Sequence, residues 1–259
     1  MSRNHGFYAA LFAVTLLVQA LPNAADAAAV PNGDITALRA AITNAAPGGT
    51  IVLFKKGTYI LDGTQLVIDK QITINGQGAT IDGNDASGVI NVISTGNLTL
   101  RDVIITGGFA ENGGGIYNSY GTVTLKDKSS VSGNTASAGG GIYNLQVGTV
   151  TLKDNSSVSN NTADKGNGGG ILNYRGMGNY GACTVTLSDK SSVSGNTADR
   201  YGGGIYNDEY ATVTLSDKSS VTNNTAGDGG GIYNGGTLNN ANAGGNVRNN
   251  QPNQIYSNR

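Results

Sequence analysis

Apolar and polar residues alternate along this chain in short runs, and the runs return. Thr122-Val123-Thr124-Leu125 recurs at Thr149 to Leu152, Thr184 to Leu187 and Thr212 to Leu215. Ser130-Val131-Ser132 recurs around Val158, Val193 and Val221. Gly113-Gly114-Gly115-Ile116-Tyr117-Asn118 opens again at Gly139, Gly168, Gly202 and Gly229, with Leu172 in place of Tyr in the third copy. Apolar positions two apart belong to strands with one buried face. Ile116, Val123, Leu125 and Val131 therefore point inward, and Tyr117, Thr122, Thr124, Ser130 and Ser132 outward. Three such strands in a period of about 27 residues predict an all-β chain, a parallel β-helix of about eight coils with three short strands per coil. Three glycines in a row, Asn-Thr turns and β-branched runs argue against a helical repeat.

Connections between the runs vary at two places and not at a third. Leu125 and Ser129 are separated by Lys126-Asp127-Lys128, and each later regular copy keeps that spacing. One coil buries about four aliphatic side chains, worth roughly 6–12 kcal/mol, against a backbone ordering cost of about 1–2 kcal/mol per residue. Only stacked coils are expected to fold.

The same patterning divides the chain. Residues 1–27 read as a secretory signal peptide, with Arg3 before the apolar stretch Tyr8 to Val18 and Ala25-Asp26-Ala27 as the cleavage site, cut near Ala27. Residues 28–48 form an N-terminal cap whose amphipathic helix carries Ile35, Leu38, Ala41 and Ile42 on one face, with Asp34 as N-cap. Irregular coils occupy 49–107, the regular Gly-Gly-Gly-Ile-Tyr-Asn repeats 108–238, and a C-terminal cap or tail 239–259.

Composition narrows the class. The 259 residues include 41 Gly but are only 13% charged, with a net charge of -1, which suits neither a nucleic-acid partner nor a disordered chain. No stretch after the signal peptide is long and apolar enough to be a transmembrane segment of the mature chain. His5 is the single histidine and leaves with the signal peptide, so no His-based catalysis or metal site is expected. Cys183 is the lone thiol and reads as a spectator, exposed or half-buried.

The residues also carry a family resemblance. Gly-Gly-Gly-Ile together with Val131-Ser132-Gly133-Asn134 resembles the Gly-Gly-Ala-Ile and Phe-x-x-Asn repeats of the polymorphic outer membrane protein family of surface β-helices, with Val for Phe. Leu38, Arg39, Ala41 and Ile42, followed by Gly49 to Leu53 and Gly57-Thr58-Tyr59, are similar to the amino-terminal Cys-Ser-Leu-Arg-Glu-Ala-Ile domain found ahead of many secreted β-helices. The resemblance implies a right-handed coil and a secreted or cell-surface protein of adhesion type. Self-displaying members carry a carboxy-terminal membrane barrel; this sequence ends at Arg259 without one, so surface retention is expected to need a partner.

Candidate chemistry lies in the outward ranks. Tyr117, Tyr143, Tyr206 and Tyr233 form a file, and the long connection 174–183 interrupts it at Leu172 with Tyr174, Arg175 and Tyr180. A ring with a hydroxyl suits a sugar or a protein partner, and insertions in solenoids often become binding loops. These residues are the expected site for a cell-surface glycan or protein. Asn118, Asn144, Asn173, Asn207 and Asn234 read as a structural ladder at turns, each amide donating to one neighbour and accepting from the other. The Thr-x-Thr files resemble the ice-binding face of Thr-rich antifreeze β-helices, and ordinary strand propensity explains them as well. Asp127, Asp154, Asp189 and Asp217 form a file that the lysines beside it are expected to neutralise, so no metal and no cofactor is expected. A polysaccharide lyase or glycoside hydrolase is the alternative function; Glu111, Asp208, Glu209, Arg175 and Arg200 are its candidate groups, without a recognised spacing, and no catalytic residue is assigned.

Overall fold

The computed structural model describes residues 29–176, 181–240 and 246–257. The expected signal peptide, residues 1–27, and Tyr180 lie outside the described residues. The chain starts with a helix over Ile35–Asn44, whose first turn is closed by Asp34: its carboxylate accepts the Ala37 N–H at 2.8 Å. Leu38 and Ile42 are buried, and Ile35, Ala37, Ala41 and Ala45 pack on the core beside them. The helix thus covers apolar residues that the first coil would otherwise leave open to water.

Among the described residues, the strands after the helix pair in parallel and wind into coils with three principal strands each. One face stacks Thr122–Lys126, Thr149–Leu152, Thr184–Leu187, Thr212–Leu215 and Thr237–Asn240; a second stacks Ser130–Ser132, Ser157–Ser159, Ser192–Ser194, Ser220–Thr222 and Val247–Arg248. The third is an eight-stranded sheet from Leu66–Ile68 to Ile255–Ser257 that contains every Ile-Tyr-Asn segment. A short additional pairing runs along the Thr-Ala corners, from Phe109–Asn112 to Thr197–Ala198.

Register is kept residue for residue. Val123, Val150, Val185 and Val213 stack, as do Leu125, Leu152, Leu187 and Leu215, and Ile116, Ile142, Ile171, Ile205 and Ile232. All of these are fully buried, and each is worth roughly 1.5–3 kcal/mol relative to exposure. In the first coils the first two faces are continuous, because Gln71–Asp82 and Asn97–Thr106 run unbroken around the corner that Lys126-Asp127-Lys128 later occupies. That corner is not constant there: pairing slips between Asn75 and Ala79, where Asn75-Gly76-Gln77-Gly78 turns the chain.

The glycine triplets are explained by close backbone approach. A Cβ on Gly140 would lie 2.3 Å from the Thr162 carbonyl oxygen, and one on Gly203 2.4 Å from that of Thr225. The first glycine of each triplet also has positive φ, 64° at Gly113 and 62° at Gly139.

Two details differ from the sequence reading. The Asn that ends each glycine motif is not at a solvent-facing turn; it is the last inward residue of its strand, and Asn118, Asn144, Asn173 and Asn207 are fully buried. Counting alternately from Ile116 puts Asn118 inside with it. Cys183 is neither exposed nor half-buried: it is fully buried, and its thiol donates to the Tyr174 carbonyl at 3.3 Å.

Candidate functional site

The inward amides form two directed chains. Asn118 donates its amide to the side-chain oxygen of Asn144 at 2.7 Å, Asn144 to Asn173 at 2.8 Å, Asn173 to Asn207 at 2.9 Å and Asn207 to Asn234 at 2.8 Å. The second chain runs from Asn134 through Asn161, Asn196 and Asn224 to Asn250, each step 2.9–3.0 Å. Each acceptor oxygen here also takes the preceding Asn backbone N–H, and Gln254 ends the file by accepting from Asn250. The first file begins at Asn118, whose own oxygen has no partner, because its neighbour in the preceding coil is Val92.

On the opposite side of the same strands stand the tyrosines. Tyr117 and Tyr143 stack at 5.6 Å between ring centroids. Tyr206, Tyr233 and Tyr256 form a second stack at 5.2 and 5.1 Å, and Tyr201 leans on Tyr233 at 4.7 Å. Parallel stacking along the rod uses the ring faces against one another. What the file offers outward is ring edges and hydroxyls, so an inner ring has no free face on which a pyranose could lie.

Burial pushes the Tyr143 phenol well above its ordinary range, with the neighbouring Tyr117 and Tyr174 adding to it. The Tyr206 phenol is pushed up to about 12, first by burial and then by the charge of Asp208.

Between the two stacks lies the Leu172 coil. Leu172 is only 5% exposed, and in this register Tyr143 and Tyr206 are its neighbours on either side. Beyond it, the Arg175 guanidinium sits 3.8 Å over the ring of Tyr210, and the Arg175 backbone N–H donates to Asp208. The connection is thereby clasped to the turn of the next coil. Tyr174 is half-buried in the same place. Asp208 and Glu209, with Tyr206, Tyr233 and Gly235, line a cavity of about 420 Å³ on this side. Of the acidic and basic groups weighed for an enzyme, only Arg175, Asp208 and Glu209 come together; Glu111 and Arg200 sit on other coils at the Thr-Ala corners.

The Asp file has a different partner from the one expected. Asp127 pairs with Arg101 of the preceding coil at 2.7 Å. The carboxylates of Asp189 and Asp217 accept the backbone N–H groups of Asp154 and Asp189, at 3.4 and 3.3 Å. All four aspartates have positive φ, between 52° and 55°. They hold left-handed corners together, and among the described residues no group of three or more metal-ligating side chains occurs. The Thr file is longer than the regular repeats: Thr50, Thr73, Thr99, Thr124, Thr151, Thr186 and Thr214 are in register on one face.

Comparison with known proteins bears on the repeat itself. The model of the Chlamydia polymorphic membrane protein repeat matches residues 190–208 and 218–235. These two repeats are similar to the polymorphic membrane protein repeat. Each matched segment runs from the Ser-Val strand through the Asn-Thr-Ala corner to the glycine triplet and the Ile-Tyr-Asn strand, and omits Thr-Val-Thr-Leu. The match thus includes Asn196, Asn207, Asn224 and Asn234 of the two Asn files and the tyrosines Tyr206 and Tyr233, and excludes the Thr face. No curated protein and no solved structure matches the chain.

Sequence reading missed Tyr256 and Asn250. Ile255-Tyr256-Ser257 echoes Ile-Tyr-Asn without a glycine triplet, and Asn249-Asn250 replaces Asn-Asn-Thr; the hydrophobic register would have found both.

Proposed function

We propose that the protein is exported, is exposed at the cell surface or secreted, and acts as a non-catalytic adhesin-like rod. It binds a glycan or protein through the tyrosine face and the 174–183 connection. The polymorphic membrane protein repeat supports a surface role, and no helix among the described residues is long and apolar enough to cross a membrane. The observation that carries the site is the break in the ring stack at Leu172, beside which Tyr174, Arg175 and Tyr210 depart from the repeat together. A purely structural tyrosine file has no need of that departure.

Binding of the mature chain to a glycan array and to whole cells tests this reading. Tyr206→Ser with Tyr210→Ser is expected to lower retention at least about tenfold while the β-type circular dichroism stays unchanged. Undiminished retention would clear the tyrosine face. Release of reducing ends or unsaturated products from any retained polysaccharide would replace binding by the lyase or hydrolase reading. N-terminal sequencing of secreted protein is expected to start just after Ala27.

A second reading has one observation in its favour. The Thr file continues through coils that keep little else of the repeat, at Thr50, Thr73 and Thr99, and it is uncharged. Binding of that face to ice is expected to reshape growing ice crystals; ordinary hexagonal growth disposes of it.

A further inference from the structure

The cavity beside the second ring stack has a composition unlike the rest of the tyrosine face. The strands at Ile205–Asn207 and Ile232–Asn234 are in register, so Asp208 follows Asn207 where Gly235 follows Asn234. Asp208 and Glu209 overhang a position with no side chain, and the hollow of about 420 Å³ is closed on its inner side by Tyr206 and Tyr233. Those two rings stack on each other at 5.2 Å and 8°, so their faces are used on one another and edges are left to the cavity. The cavity lining is mostly polar, drawn from two acids, two tyrosines and a glycine.

No lysine or arginine lines it, and neither Asp208 nor Glu209 forms an ion pair among the described residues. The Arg175 guanidinium is held over the face of Tyr210, and it is the Arg175 backbone N–H that donates to Asp208. Two adjacent carboxylates at the edge of a hollow repel each other and are relieved by a cation that also donates hydrogen bonds. An ammonium group does both, with three donors for the acid and phenol oxygens.

We propose that this cavity binds a protonated amine on a hydroxyl-rich scaffold, a glycan bearing amino sugars with free amino groups. The polar lining favours that scaffold over a lysine side chain, whose four-carbon stem is better covered by apolar walls. The inference rests on the reading of the tyrosine face as a binding face and names its ligand class.

Titration calorimetry of the full mature chain with glucosamine tetramer, its N-acetylated counterpart and tetralysine tests it. The free-amine tetramer is expected to bind at least about tenfold more tightly than the acetylated one, the value of one charge-assisted hydrogen bond. Its binding is expected to fade as pH rises through the titration of the sugar amines. Asp208→Asn combined with Glu209→Gln is expected to abolish the preference while leaving the circular dichroism unchanged.

Equal binding of the two tetramers, tighter binding of tetralysine, no binding of the free-amine tetramer, or an undisturbed preference in the double variant would each overturn the proposal. The two readings also fail separately. Cell or glycan retention that is lost on Tyr206→Ser with Tyr210→Ser but survives Asp208→Asn with Glu209→Gln keeps the binding face and removes the amine pocket.

Discussion

Single residues here carry two kinds of obligation, to the file behind them and to the medium in front. Asn161 accepts from both the backbone and the amide of Asn134 and donates to Asn196 and to the Val131 carbonyl. Replacing it with Ala orphans buried groups on both sides, which costs about 2–4 kcal/mol. Urea unfolding of Asn161→Ala measures this; an unchanged midpoint would show the file to be ornamental.

Tyr206 shares the alkaline pH dependence with Tyr143, whose phenol is also pushed up by burial. The Tyr206 phenol titrates at about 12 in the folded chain against an ordinary 10.0. Below 10.0 the group is protonated in both states and its contribution to stability is complete. As pH climbs toward 12 the unfolded chain loses the proton first, and that contribution is lost. Tyr206→Phe removes this loss, so its alkaline unfolding midpoint, followed by circular dichroism, is expected to lie above that of the parent chain. An identical midpoint would mean that Tyr206 does not govern alkaline stability.

At the scale of the element, glycine and helix do separate jobs. The middle glycine of a triplet meets the carbonyls of the neighbouring coil, so Gly140→Ala forces the Thr162 and Gly169 backbones to move. Its thermal midpoint is expected to fall steeply, whereas Ser132→Ala on an outward strand stays within about 0.5 kcal/mol of the parent. Leu38→Ala in the capping helix removes a fully buried side chain and is expected to cost about 2–5 kcal/mol. A loss below that range would mean that the helix is not needed to close the core.

How much of these elements is legible follows from their period. Val123, Leu125, Val131 and Ile116 alternate strictly, and their burial could be read directly from the chain. Asn118 obeys the same alternation, but its polarity suggests a turn, because a single strand does not show that the next coil supplies its partner. Asp127 misleads for the same reason: Lys126 and Lys128 adjoin it in sequence, and Arg101 reaches it in space. The cavity at Asp208 and Glu209 was legible only as two acids in a loop, since Gly235 lies a whole coil away.

At the scale of the molecule, the coil is the unit of change. Deleting residues 202–228 joins Tyr201 to Gly229 and leaves every remaining column in register, so a folded rod shorter by about 4.8 Å is expected. Deleting Asp189 instead shortens the corner Ser188-Asp189-Lys190, whose length the regular copies never change, and a one-residue slip turns inward side chains outward. Circular dichroism with small-angle scattering separates the two; equal folding of both deletions would contradict a solenoid held by register.

The sequence by itself determined the coil, its three strands and which side chains face the interior, because those follow from local alternation and from a repeat that copies each position onto the next. Tertiary structure decided everything that depends on contact between coils. It set the direction of the Asn files, the partners of the Asp corner and the use of the tyrosine faces on one another. It also placed an acidic hollow where Gly235 leaves room under Asp208 and Glu209. Neighbours along the chain are given by the chain; neighbours across a coil exist only once the coils have stacked.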